Sequence, residues 1–241
     1  MTISEQTIAI DTHTHSVLSG HAWSTIDENA REAAKIGLAG ICITEHGPAM
    51  RGGIEWFALN SFPSLPETLH GVLLIPGVEY NILDKHGTLD ITREAALKHV
   101  RFGIASMHDG IMPPTNMRDH TDGYIAALNN RYVHALGHPE YDYFSHDPEP
   151  IVLEAKKLGK LIEINNNSFS FRKSSIANIR VFVKLCKKHE VQICVSSDAH
   201  FYTKIGKVPQ AMNLLNEESF PLELIINLTS DRFFNYIGQQ Q

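Results

Sequence analysis

A closed α/β barrel is the fold class the sequence predicts, and three observations carry it. Short apolar runs alternate with amphipathic helical segments, which implies a parallel sheet covered by helices. Seven such runs fit within 241 residues, and no repeat, low-complexity tract or linker interrupts them. His, Glu or Asp residues gather at the C-terminal ends of the runs, the face where parallel barrels build their sites. One domain over residues 1–241 therefore suits the chain better than two. An open doubly wound sheet is the alternative with the same alternation.

Taken in order, the first apolar run, residues 8–10, ends in Asp11-Thr12-His13-Thr14-His15. Thr25-Ile26-Asp27-Glu28 is a capping-box pattern, so a helix is expected from Thr25 to a stop at Gly37. Residues 38–44 read as a buried strand ending at Glu45-His46-Gly47, and residues 47–66 as a loop with one helical turn. The third strand, 72–78, is followed directly by Glu79, and Asp84-Lys85-His86-Gly87 reads as a hairpin turn. The fourth strand, 100–107, leads into His108-Asp109-Gly110, and a helix is expected over 115–130. Residues 132–136 form the fifth strand, before Gly137-His138-Pro139, and 148–158 a helix stopped by Gly159. Strand six, 161–164, runs into three asparagines from Asn165, and residues 175–189 carry a helical apolar stripe. Strand seven, 191–195, ends in Ser196-Ser197-Asp198-Ala199-His200, and helices near 206–216 and 230–237 close the chain.

Composition narrows the function classes. Hydrophobic residues are 43% and charged residues 20%, the ordinary globular balance, which excludes a disordered or fibrous chain. No apolar stretch reaches membrane-spanning length. Residues 1–6 are polar, with no basic region leading into an apolar run, and the three cysteines form no paired framework. A cytoplasmic location is the expectation. Net charge is −6, and the absence of a long Lys/Arg run argues against an extended nucleic-acid partner. The outlying number is 14 His, nearly equal to the 16 Gly.

In a parallel barrel His13, His15, His46, Glu79, His108, His138, Asp198 and His200 converge on one face. Neutral imidazoles with two carboxylates make a ligand set for divalent transition metals. His13-x-His15 and Asp198-x-His200 each place two such groups on one side of a strand. Any one of these motifs alone reads equally well as a polar turn, but their repetition at the same end of successive strands points to one site. His21, in Ser19-Gly20-His21-Ala22, gains no partner from spacing alone.

These motifs resemble the PHP (polymerase and histidinol phosphatase) family. Asp11-Thr12-His13-Thr14-His15-Ser16, Ser19-Gly20-His21-Ala22 and Thr44-Glu45-His46-Gly47 are similar to its opening motifs. Pro76-Gly77-Val78-Glu79, His108, Gly137-His138-Pro139, Glu163-Ile164-Asn165-Asn166 and Ser197-Asp198-Ala199-His200 follow in the family's order. The resemblance covers nearly the whole chain and implies a distorted TIM-like (β/α)7 barrel of the small bacterial phosphatase type. It also implies three divalent metal ions, zinc first, with manganese or iron as alternatives. On that resemblance His13, His15, Glu79 and Asp198 hold one ion. Glu79, His108 and His138 hold the second, with Glu79 as the bridge, and His21, His46 and His200 hold the third. Glu45 departs from the family, which often has Asp there.

Three such ions bring six positive charges, of which Glu79 and Asp198 return two, so the pocket is strongly cationic in an acidic protein. That matches a phosphomonoester dianion, and the expected reaction is its hydrolysis by a metal-bound hydroxide, with Glu79, Asp198 and Arg172 as catalytic residues. Arg172 is expected to offer a forked contact to the phosphate, and Asn165 to meet the substrate or a bound water. Trp56, Phe57, Tyr141 and Tyr143 are available for aromatic contact. Ser24 and Thr25 read as helix caps and Cys42 as core. A non-catalytic metal-stabilised PHP scaffold and a 3′ nuclease acting on single strands are the alternatives. An amidohydrolase ranks lower, because Glu79 takes the bridging place of a modified lysine.

Overall fold

A computed structural model describes residues 7–240, and the polar segment 1–6 lies outside them. Seven parallel strands stand side by side in the order β1 (Ile10–Thr14), β2 (Gly40–Ile43), β4 (Val72–Asn81), β5 (Phe102–Ser106), β6 (Ala135–Leu136), β7 (Leu161–Asn165) and β8 (Ile193–Ser196). A two-residue strand, β3 (Thr68–Leu69), pairs antiparallel with the start of β4. Helices α1 (Ile26–Lys35), α4 (Met117–Leu128), α5 (Pro148–Leu158), α7 (Ile176–His189) and α8 (Pro209–Glu217) follow β1, β5, β6, β7 and β8. Single-turn helices α2 (Trp56–Leu59), α3 (Glu94–Leu97) and α6 (Ser168–Phe171) lie in the connections. No helix among the described residues is long and apolar enough to cross a membrane.

The strands obey a period of two that changes character along their length. On β7, Leu161, Glu163 and Asn165 share the inner face, while Ile162 and Ile164 face the helices. On β4, Ile75 and Glu79 point in, and Val78 and Tyr80 point out. The lower half of the interior is therefore apolar (Ile10, Cys42, Ile75, Phe102, Cys194) and the upper half polar. Helix α9 (Ser230–Gln240) seals the bottom with Phe233, Tyr236 and Ile237, and the Tyr236 hydroxyl donates to His134 O at 2.9 Å.

The ring is nearly closed. Between β8 and β1 the ladder is reduced to one bridge, Thr14 with Ala199, and His15 N donates to Ala199 O at 2.9 Å. Asn227 fills the remaining seam. Its amide nitrogen donates to Ile10 O (2.7 Å) and Val195 O (2.6 Å), and its amide oxygen accepts from Val195 N (3.0 Å). A side chain thus replaces the missing strand-to-strand hydrogen bonds.

Candidate metal centre

Strand β1 carries a bulge between Asp11 and Thr14, where its register against β2 slips. A bulge re-aims side chains, and here it leaves the His13 and His15 rings together, with Nε2 atoms 3.0 Å apart. Glu79 lies on the inner face of β4, inside the strand rather than after it, and is fully buried. Its two oxygens face different imidazoles. Oε2 is 3.2 Å from His13 Nε2, 3.5 Å from His15 Nε2 and 2.7 Å from His46 Nδ1. Oε1 is 3.1 Å from His138 Nε2 and 3.3 Å from His108 Nε2, and accepts from Ser106 Oγ at 2.6 Å.

Asp198 closes the first group. Its Oδ1 is 3.6 Å from His13 Nε2 and 3.3 Å from His15 Nε2. Four donors at 2.0–2.1 Å from one tetrahedral ion are about 3.3–3.4 Å from one another. The five separations among His13, His15, Glu79 and Asp198 run from 3.0 to 3.6 Å, so this donor set fits a divalent ion. A second observation agrees. His46 Nδ1 and Glu79 Oε2 are buried and close, yet neither has a hydrogen-bond partner. Orphaned buried atoms are costly unless something binds them.

Two further groups overlap the first: His46 with Glu79 and His108, and His15 with His46 and His200. His21, exposed on the loop after β1, has Nε2 3.0 Å from His200 Nε2, which brings in the residue that spacing left without a partner. His46 stands between the groups, with its ring 4.2 Å from His15 and 4.9 Å from His21. His138 and Asp198 both sit in left-handed backbone, φ 30° and 49°. Such strain persists where surroundings over-determine it, and His138 N donates to Glu163 Oε2 at 2.7 Å. Gly137 admits no side chain, because a Cβ there would strike the Ser106 hydroxyl that serves Glu79.

Behind the imidazoles lies a layer of hydrogen-bond partners, of which Glu163, Glu45 and Ser19 stand in the sequence motifs and Asn81 stands in none. Glu163 Oε1 is 2.7 Å from His13 Nδ1 and accepts from Ser196 Oγ at 2.6 Å. Asn81 Oδ1 is 2.7 Å from His108 Nδ1, and the Asn81 amide donates to Asp90 Oδ2 at 2.6 Å. Ser19 Oγ is 3.0 Å from His15 Nδ1 and donates to Glu45 Oε2. The longer Glu45 side chain also accepts from Ser16 N, so here it braces the loop that carries His21. Such partners fix tautomer and ring direction in metal sites. The available signal was same-face spacing: Glu163 lies two residues before Asn165, and Asn81 two after Glu79.

Asn165 is the site residue the structure places differently from expectation. It is fully buried, its amide donates to Asp198 Oδ2 (3.1 Å) and Glu163 Oε2 (3.2 Å), and its oxygen accepts from Asn167 N (2.8 Å). Both ends of its amide are thus engaged within the protein, one of them on Asp198.

The electrostatics follow from packing. Burial raises the Glu79 and Asp198 carboxyls, but the facing imidazoles outweigh it and hold both well below the usual range. For His13, burial is overcome by Glu163, Glu79 and Asp198, which lift it well above its ordinary value. His15 is driven well down, by burial and by His46 and His200, and burial with Arg172 pushes His138 down to about 4. The set thus holds two anionic carboxylates, with His15 and His138 kept neutral for coordination.

The cluster floors a cavity of about 850 Å³. Arg172 lines it, with Nη1 3.9 Å from Asp198 Oδ2 and bonded to Ser168 Oγ at 3.2 Å. Of the four aromatics expected there, Tyr141 is in the wall. Tyr143 stacks behind it, ring centres 5.8 Å apart, and Trp56 lies under the Arg93 guanidinium at 3.7 Å. Phe57 lies off the wall as well, packed edge-on against Trp56. Trp23, Phe171 and Phe201 line the cavity instead.

Comparison with known proteins agrees with this geometry. The chain is 40% identical over 232 residues to a protein of Acetivibrio thermocellus named "Probable phosphatase", covering 96% of each. It is 43% identical to one of the same name from Clostridium botulinum, covering 95% of this chain and 93% of the other. The fold is similar to that of histidinol phosphate phosphatase from Lactococcus lactis, solved with zinc, L-histidinol and phosphate. That likeness has a TM-score of 0.59 at 18% identity and covers 88% of this chain and 93% of the other. The profile of the PHP domain matches residues 11–241, the span that brings every motif from Asp11 to His200 onto one barrel end. The chain belongs to the PHP domain family.

Proposed function

We propose that the protein is a metal-dependent phosphoesterase that hydrolyses a small phosphomonoester at a site for three divalent ions, zinc first, with manganese or iron(II) as alternatives. The observation that carries this reading is the 3.0–3.6 Å spacing of the His13, His15, Glu79 and Asp198 donor atoms, which suits ligands of one divalent ion. The relatives named as phosphatases support the reaction class. His13, His15, Glu79 and Asp198 would hold the first ion, Glu79 with His108 and His138 the second, and His21, His46 and His200 the third.

When bound, the ions supply Lewis acidity and bring the pKa of water towards neutrality. The chain does the rest. Glu79 divides its two oxygens between two groups of imidazoles, fixing their separation. Asp198 is held ionised and aimed by Asn165. Arg172 reaches the same cavity and offers its guanidinium to a non-bridging phosphate oxygen. The tight floor and the net charge of −6 favour a small substrate over a polynucleotide.

Protein purified without added metal should contain about three ions per chain and release phosphate from 4-nitrophenyl phosphate. Chelation should abolish that activity and zinc restore it. Undiminished turnover in metal-free protein would overturn the reading. Full metal content with no hydrolysis of any phosphoester would favour a scaffold, and faster degradation of a labelled single strand a nuclease.

A further inference from the structure

Among the described residues, five aromatic side chains are strongly exposed, and three of them surround one cavity. Trp23 is 77% exposed, Phe171 82% and Phe201 43%, and all three line the space above the metal cluster. Apolar surface of that size left in water is a standing cost, and grouped at one pocket it marks a binding surface.

Their placement around the barrel is ordered. Tyr141 follows β6, Phe171 follows β7, Phe201 follows β8 and Trp23 follows β1. These four strands are consecutive around the closed ring. The loops after β2 and β5 bring Met50, Arg51 and Asp109 to the same mouth and no aromatic residue. The four aromatic rings of the wall thus form an arc on one half of it, interspersed there with Asn167, Arg172 and Lys204. Trp23 is tied to the metal-site loop, since its N donates to His200 O at 2.9 Å. Arg172 lies 5.3 Å above the Tyr141 ring, so a cation is built into the arc.

A phosphate drawn to the floor leaves its ester group to face this wall. Aromatic faces hold flat ring systems by stacking, largely regardless of the ring's hydrogen-bonding pattern. The cavity, about 850 Å³, has room for a ring joined to a sugar-sized spacer. Resting on the phosphoesterase reading, we propose that the substrate is a phosphomonoester whose leaving group carries a flat ring of nucleoside size. Trp23, Phe171 and Phe201 then determine specificity by stacking on that ring.

The test compares adenosine 5′-monophosphate with ribose 5-phosphate, which share the ester bond and differ in the ring. Both compete against 4-nitrophenyl phosphate with the metal-loaded enzyme. The nucleotide should have an inhibition constant at least about tenfold lower. Trp23→Ala and Phe171→Ala should each reduce that ratio severalfold, the double variant should bring it near one, and Trp23→Phe should recover much of it. Phe57→Ala, an equally exposed aromatic off the wall, should leave the ratio unchanged. Equal inhibition by the two phosphates, or a ratio indifferent to Trp23 and Phe171, overturns the proposal. Absence of 4-nitrophenyl phosphate hydrolysis counts against the phosphoesterase reading instead. Calorimetric titration of the metal-loaded protein with the same two phosphates then reads the ratio, and equal affinities again overturn it.

Discussion

His13 Nδ1 lies 2.7 Å from Glu163 Oε1 across 150 residues of chain, with both side chains fully buried. The carboxylate fixes the proton on Nδ1 and turns Nε2 towards Glu79 and Asp198. Glu163 also holds Ser196 and the His138 backbone, so one side chain aligns three strand ends. Glu163→Gln keeps the shape and removes the charge. It should weaken zinc retention about 10- to 100-fold while the protein stays folded. Competition with a chromophoric chelator measures this, and unchanged affinity would refute the positioning role.

Glu79 and Arg172 both face the cavity floor, but they differ in what depends on them. Five imidazoles approach the Glu79 carboxylate, while Arg172 makes one ion-pair contact, 3.9 Å from Asp198. Arg172→Ala should lower kcat/KM about 100-fold with metal content intact. Glu79→Gln should lose at least tenfold more than that, with loss of metal. Steady-state kinetics beside elemental analysis decides it. Comparable losses with full metal content in both would remove Glu79 from its bridging place.

How legible these features were depends on whether the cause is local. Helix α5 begins and ends where expected because Asp147 caps it, Pro148 starts it and Gly159 takes the left-handed stop. The capping box at Thr25 is formed as expected. Strand β1 defeats an apolar-run rule. It continues through Asp11 to Thr14, since distant partners satisfy those polar groups: Ser197 and Gly206 for Asp11, Thr44 for Thr14 N. Strand β6 is only two residues long where five were expected, because His134 N and Gly137 N complete its pairing with β5 from outside the strand. All nine metal-ligand candidates lie close together; eight stand near strand ends, where the sequence marks them, while His21 sits on a loop and is marked only by the family resemblance. The bracing roles of Glu163, Asn81 and Asn227 are not legible there, because they lie in contacts made far along the chain. Of the four aromatics available for contact, Trp56, Phe57 and Tyr143 fall outside the cavity lining for the same reason: loop direction is a tertiary property.

Asn227 gives that point an energetic test. Its buried amide satisfies three backbone groups on β1 and β8, all within 3.0 Å. Asn227→Leu leaves those groups unpaired, and each orphan costs roughly 1–3 kcal/mol. A loss of about 3 kcal/mol or more is expected from urea unfolding midpoints. Asn227→Asp keeps the acceptor but forfeits both donors, so it should fail similarly. A loss under about 1 kcal/mol in both variants would show that the seam is held by other means.

Glu140 makes stability depend on pH in a definable window. It is 2% exposed, its Oε1 has no hydrogen-bond partner, and burial pushes its carboxyl from 4.5 up to about 7, with Arg172 pulling the other way. Between those values the folded protein keeps a proton that the unfolded chain has released. Stability contributed by this group is therefore full below about pH 4.5 and is lost as pH rises through about 7. At 1.36 kcal/mol per pH unit, the loss is about 3 kcal/mol. Glu140→Gln mimics the protonated form at every pH and removes the dependence. The two proteins should unfold alike near pH 4.5, and the variant should be the more stable above pH 7. Glu79 and Asp198, held low, lose their contribution only as pH falls through acid values, and they do so equally in both proteins. The difference between the two unfolding curves therefore isolates Glu140, and parallel curves from about pH 4.5 to 8 would show that its carboxyl titrates normally.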